Sequence, residues 1–159
     1  RTMIPVCMRV ALFVAGALFV ATVVQADEGS SILGDYEWHK LEAGLEAAKT
    51  QNKPAMVVIH KSWCGACKRL GPLIANSQAM KDLAPKFVMI SVHDKEEPSD
   101  KKWAPDGGYV PRIFFVSPNG QVKEDVYNAD GMAQYKYFYS DDAQIVKAMK
   151  SVQDMKDEL

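Results

Sequence analysis

Ala55-Met56-Val57-Val58-Ile59-His60 runs directly into Lys61-Ser62-Trp63-Cys64-Gly65-Ala66-Cys67-Lys68. The first six residues are apolar and largely β-branched until His60, the pattern of a short strand buried on both faces. The next eight place two cysteines, separated by two residues, where the chain leaves that strand and enters a helix expected to reach about Leu83. At a helix start, unpaired backbone N–H groups and the helix dipole favour negative charge. The first cysteine, Cys64, is therefore expected to ionise readily, and the thiolate is the species that attacks disulfides. Cys67, one turn further in, is expected to resolve the mixed disulfide that Cys64 forms. Two plainer readings stay open. A permanent staple would close too small a loop to stabilise the fold much. Half of a zinc site would need further ligands, for which only His39, His60 and His93 are candidates.

Working outward, Asp35 to Lys49 reads as a helix, with Trp38, Leu41, Leu45 and Ala48 at helical spacing and Gln51-Asn52-Lys53-Pro54 as its stop. Pro72 falls inside the helix that follows the cysteines and is expected to kink it. Phe87 to Val92 predicts a second buried strand. His93 to Gly108 is polar and long for a plain connection, expected as a surface loop or short helix that frames the substrate groove. Arg112 to Val116 predicts a third strand, Pro118-Asn119-Gly120 a turn, and Gln121 to Val126 an antiparallel return. Tyr127 to Tyr139 is irregular and aromatic, with Tyr135, Tyr137, Phe138 and Tyr139 read as packing against the sheet more readily than as a partner surface. Ser140-Asp141-Asp142 predicts the start of a last helix, with Ser140 as cap and Ile145, Val146, Met149 and Val152 as its apolar face. The fold class is α/β: a mixed sheet made from a parallel βαβ unit plus a β-hairpin, flanked by helices.

The 159 residues carry a formal net charge of −1, which gives no basic surface for nucleic acid. Arg9, the apolar run Val10 to Val24 and Val24-Gln25-Ala26 describe a secretory signal peptide over residues 1–26. The run is shorter than the roughly 20 apolar residues that span a bilayer, so no stable membrane insertion is expected. Residues 27–34 read as a short, mobile polar leader, residues 35–155 as the domain, and Lys156-Asp157-Glu158-Leu159 as the retrieval signal of the endoplasmic reticulum. The KDEL receptor is then an expected partner and the endoplasmic reticulum lumen the expected location. Of three cysteines, Cys7 lies in the signal segment. Cys64 and Cys67 alone would remain, too few for a disulfide-stapled scaffold.

Trp63-Cys64-Gly65-Ala66-Cys67-Lys68, Pro72 and Val110-Pro111 resemble the thioredoxin superfamily. His60 to Lys68, Pro105 to Arg112 and Tyr135 to Tyr139 are similar, more closely, to its anterior-gradient branch, over about residues 34–153. The resemblance implies a cis Pro111 facing the cysteine pair. It also implies that Trp63, Gly65, Ala66, Val110 and Pro111 contact an extended substrate chain. No bound cofactor or metal is implied, and glutathione is the expected redox partner. Two departures matter. Val58 stands where many family members bury an acid that takes the resolving cysteine's proton. Ala66 stands where isomerase-type sites carry a histidine. His60, Lys61, Lys68 and Arg112 are candidates for tuning the site, although Lys68 reads equally as a solvated helix residue and Arg112 more readily as a surface charge. The expected function is a protein thiol–disulfide oxidoreductase acting on client proteins, a monomer by preference. A client-binding chaperone or trafficking adaptor with little redox turnover is the alternative, and a metal carrier a weaker one.

Overall fold

The computed structural model describes residues 32–157, with the side chains of 156 and 157 excepted. The signal segment 1–26, most of the leader 27–34, and Glu158 and Leu159 of the tail lie outside the described residues. Eight principal elements follow in order: β1 (Trp38–His39), α1 (Leu41–Gln51), β2 (Ala55–His60), α2 (Gly65–Asn76), α3 (Gln78–Leu83), β3 (Val88–His93), β4 (Arg112–Val116) and α4 (Asp142–Asp157). Their sheet order is β1-β3-β2-β4. β1 and β2 both pair parallel to β3, and β4 closes the other side antiparallel to β2. This is an α/β thioredoxin-like architecture.

β2 is central, and all six of its residues are buried. Alternation sends Met56 and Val58 to one face, where they meet Leu70 and Ile74 of α2 and Ile145 and Met149 of α4. Val57 and Ile59 go to the other face, with Ala48 of α1, Phe114 of β4, and Trp103 and Tyr137 from the long connections.

The first helix is shorter at its start than the spacing predicts. Trp38 and His39 form β1, in register with Met89 and Ile90 of β3. Trp38 packs into one core and Leu41, Leu45 and Ala48 into the other. The helical spacing of those four residues thus combined two different faces. The helix ends as expected, with Asn52 in the left-handed region at φ 50°.

The second helix does not run unbroken to Leu83. Pro72 lies inside α2, but the chain breaks at Ser77, which turns extended and whose hydroxyl accepts the N–H of Met80 at 3.3 Å to cap α3. The expected hairpin is reduced to one bridge, Val116 to Val122, beside a bond from Lys123 N–H to the Phe115 carbonyl at 2.8 Å. The chain then turns away, and the carbonyl of Tyr137 accepts the N–H of Ile113 at 2.9 Å. Two separate segments cover the outer edge of β4. The cap of α4 is Asp141, whose carboxylate accepts the N–H of Gln144 at 2.9 Å; Ser140 instead donates its own N–H to the Gln144 side chain. Among the described residues, no helix is long and apolar enough to cross a membrane.

The last part of the expected leader belongs to the core. Leu33 is buried, and the Gly34 carbonyl accepts the Trp38 indole N–H at 3.0 Å. Gly34 has φ +87°, and a Cβ there would stand 2.6 Å from the Cα of Ala75. Gly34→Ala is expected to destabilise the domain by about 2 kcal/mol, through backbone strain and overpacking together. The shift in urea midpoint measures it.

Candidate redox site

Cys64 is the N-cap of α2. Its backbone is extended, and its sulfur accepts the N–H of Cys67 at 3.1 Å. A sulfur in an N-cap position replaces one of the missing partners of the first helical turn, and a thiolate does so more strongly than a thiol. No acidic side chain stands in that turn to oppose the charge. The pair is bonded as a disulfide with Cα atoms 5.3 Å apart. Both cysteines are buried, Cys64 at 6% exposure and Cys67 at 1%, so Cys64 is the nearer of the two to the surface.

The Val110–Pro111 peptide bond is cis. The carbonyl oxygen of Val110 lies 3.5 Å from the Cys64 sulfur. Trp63, 73% exposed, stands beside the pair, while Gly65 is exposed and Ala66 half-buried. The residues read as a substrate surface thus fall into two walls. One is the Trp63-to-Ala66 turn, and the other is Val110-Pro111.

The four tuning candidates separate in space. Lys68 is exposed on α2. His60 ends β2 with 2% exposure, its Nε2 2.9 Å from the Ser91 hydroxyl and its ring 6.0 Å from that of His93. Lys61 turns toward the loop after β3, forming an ion pair with Glu97 at 2.6 Å and donating to the Asp94 carbonyl. Arg112 departs most from the sequence reading. It is fully buried rather than a surface charge. Its guanidinium donates to the carbonyls of Trp103, at 3.0 Å, and Tyr109, and to the carboxylate of Glu97. Neither cation is spent on the sulfurs; both organise the connection that delivers Val110.

That connection, expected as a surface loop or short helix, contains two 3₁₀ turns, Asp94–Glu96 and Lys101–Trp103, with Trp103 in the core. Further on, the Asp106 carboxylate accepts from the Tyr109 hydroxyl and from the N–H of Lys136, both at 2.7 Å. The Tyr109 hydroxyl accepts the N–H of Tyr137 at 3.0 Å. Burial and the neighbouring Asp106 carboxylate together push the Tyr109 hydroxyl pKa far up, so it stays protonated. Tyr137 and Tyr139 are buried, whereas Tyr135 is exposed and packs edge-on against Tyr109 at 4.8 Å.

Sequence reasoning missed Ser91, Asp94, Glu97, Asp106 and Tyr109. Ser91 alone carried a signal, as the one hydroxyl in the apolar run Val88 to Val92. It sits across from Val58 in the β2–β3 register, so the face bearing the missing acid holds a valine, a serine and a histidine. Among the described residues, no group of three or more His, Cys, Asp or Glu stands together to hold a metal.

A disulfide-bonded cysteine pair at a helix start, beside the carbonyl that precedes a cis proline, defines a thioredoxin-like thiol–disulfide site. The sequence profile of the thioredoxin-like family matches residues 37–118, and the chain belongs to that family. Within it, the chain is similar to the anterior gradient proteins. It is 37% identical to anterior gradient protein 3 of Xenopus tropicalis over 105 residues, 65% of this chain and 63% of that protein. It is 35% identical to the human anterior gradient protein 2 homolog over 109 residues, 69% and 61% of the two chains. The matched segment thus spans a little under two thirds of those relatives. Against anterior gradient protein 3 of Mus musculus the identity is 35% over 118 residues, 73% and 70% of the two. Two solved structures share the fold at low identity. DsbH oxidoreductase has a TM-score of 0.53 at 18% identity over 84% of this chain and 94% of its own. A thioredoxin from Thermus thermophilus has 0.51 at 20% over 73% and 85%.

Burial alone would raise the Glu97 pKa, but hydrogen bonds and charge from Lys61 and Arg112 outweigh it and hold the carboxyl below its usual 4.5. A carboxyl whose pKa is lower folded than unfolded contributes stability above its unfolded pKa and loses it as pH falls through the folded one. Wild-type stability is therefore expected to drop on acidification below about pH 4.5, and Glu97→Gln to show a shallower drop. Urea midpoints from pH 7 to pH 3 measure both slopes.

Proposed function

We propose that this protein is a thiol–disulfide oxidoreductase of the endoplasmic reticulum lumen that forms, reduces or exchanges disulfides in client proteins, with glutathione as its small redox partner. The observation that carries the reading is the placement of the Cys64 sulfur. It accepts an N–H at the start of α2 and lies 3.5 Å from the Val110 carbonyl, beside a buried partner sulfur.

In the reducing direction, the Cys64 thiolate attacks one sulfur of a client disulfide, and the other client sulfur leaves as a thiolate. Cys67 then loses its proton and attacks the Cys64 sulfur of the mixed disulfide. The second client thiol departs, and Cys64–Cys67 is left oxidised. Two glutathione molecules return the pair to dithiol and become glutathione disulfide. Every step reverses for disulfide formation. Cys64 serves as nucleophile, Cys67 as resolving thiol, and Val110 offers its backbone to an extended client segment.

The location rests on the apolar Val10–Val24 segment before Val24-Gln25-Ala26 and on Lys156-Asp157-Glu158-Leu159, which the KDEL receptor would read. The proposed protein works as a monomer, without nucleic acid, bound cofactor or membrane insertion. One observation favours the second reading, a client-capturing adaptor. Val58 stands in place of an acid, so either His60, Lys61 or water takes the Cys67 proton or resolution is slow, and slow resolution would prolong the mixed disulfide.

Equilibration in glutathione buffers, followed by thiol labelling and mass measurement, tests the proposal. A reversible two-electron transition near the compartment's poise, roughly −180 to −210 mV, is expected. A pair that stays oxidised far below that range is a structural staple, and the proposal fails. Cys67→Ser is expected to accumulate mixed disulfides through Cys64, and Cys64→Ser to abolish them.

A further inference from the structure

Both walls of the redox site are tied to a side chain that belongs to neither. Glu97 follows the Asp94–Glu96 turn, and its two carboxylate oxygens diverge. One pairs with the Lys61 ammonium at 2.6 Å, and the other accepts from the Arg112 guanidinium. Lys61 begins the turn that ends at Cys64, closed by a bond from the Cys64 N–H to the Lys61 carbonyl at 3.1 Å. Arg112 directly follows Pro111, and its guanidinium also holds the carbonyl of Tyr109, the residue before Val110. A second brace runs alongside, from the Ser62 N–H to the Asp94 carboxylate at 2.9 Å.

We propose that Glu97 is a positioning residue that sets the gap between the Cys64 turn and the Val110-Pro111 wall, and so governs the access of polypeptide disulfides in preference to small thiols. This rests on the redox reading above. A client chain must lie extended between the two walls, whereas a small thiol needs only the sulfur. A carboxylate has two acceptor oxygens and can bridge two cations; a glutamine amide has one acceptor and presents donors to the other cation. Glu97→Gln therefore breaks the bridge, loosens both walls and leaves the buried Arg112 without its counter-charge. Lys61→Met releases the cysteine wall and leaves the Glu97–Arg112 pair in place. Lys61→Arg keeps the bridge.

The experiment uses two reactions of the full chain and one measurement without turnover. Reduction of insulin disulfides, with dithiothreitol as electron donor, reports polypeptide access. Reduction of Cys64–Cys67 by dithiothreitol alone, which ends as its cyclic disulfide, reports small-thiol access. Amide hydrogen exchange over 61–64 and 94–110 reports the walls themselves. In Glu97→Gln and Lys61→Met, insulin reduction is expected to fall about tenfold, carried mainly by KM, with the dithiothreitol reaction changed less than about twofold. In Glu97→Gln, exchange is expected to rise in both segments together. Lys61→Arg is expected to restore insulin reduction. If Glu97→Gln fails to fold, Lys61→Met decides. The proposal is overturned by unchanged insulin reduction, by an equal loss of both reactions, or by exchange that in Glu97→Gln rises in one wall only. If the wild-type chain reduces no insulin at all, the redox reading fails by itself, and exchange in the variants still decides the bridge.

Discussion

The antiparallel pairing of β2 with β4 is the constraint on which the site depends. Its register sets Ile59 opposite Arg112. The residues that follow Ile59 and those that precede Arg112 must then emerge at the same end of the sheet, and they are the cysteine turn and Val110-Pro111. A shift of one residue would turn every side chain of one strand to the opposite face. The shift is resisted because both faces of β2 are filled, one against α2 and α4 and the other against α1 and Trp103. The geometry of a reactive sulfur is thereby fixed by apolar residues that take no part in the chemistry.

The parts of this arrangement legible in the sequence are those set by local physics. Ala55 to His60 and Arg112 to Val116 are dense apolar runs with one plausible state, and two cysteines at a strand-to-helix junction have a narrow set of uses. The errors arose where distant contacts decide. Trp38 fits a helical stripe with Leu41 and Leu45, but β3 offers it a strand partner. Ser77 reads as an ordinary helix residue until its hydroxyl is seen to cap the next helix. Gln121 to Val126 has the composition of a strand, yet the edge of β4 beyond its single bridge is taken by Tyr137, some fifteen residues later. Arg112 and Glu97 are the extreme case. A buried cation and its counter-ion are fifteen positions apart, and nothing in either residue's neighbourhood announces the other.

Val58 changes the interior of the site as well as its proton chemistry. A carboxyl on that face of β2 would be buried among Leu70 and Ile74, where desolvation opposes its charged form. Valine removes that cost and completes the core. The polar groups left on this face are a serine hydroxyl and a histidine ring 2.9 Å apart. Charge is placed instead on the flank, where Lys61, Glu97 and Asp94 meet the buried Arg112 in one network. The site thus carries no carboxylate beneath the sulfurs and holds its ion pairs to one side of them.

The exposed Trp63 has a consequence of a different kind. Of the three tryptophans, Trp38 and Trp103 are sealed in the two cores, and Trp63 stands in solvent next to the sulfur pair. An indole in water emits at longer wavelength than one in an apolar interior, and a neighbouring disulfide quenches it more strongly than two thiols do. The chain therefore carries its own optical indicator. The red edge of its intrinsic emission follows the oxidation state of Cys64–Cys67, while the blue edge follows the integrity of the cores. One spectrum can separate a redox event from an unfolding event without any label.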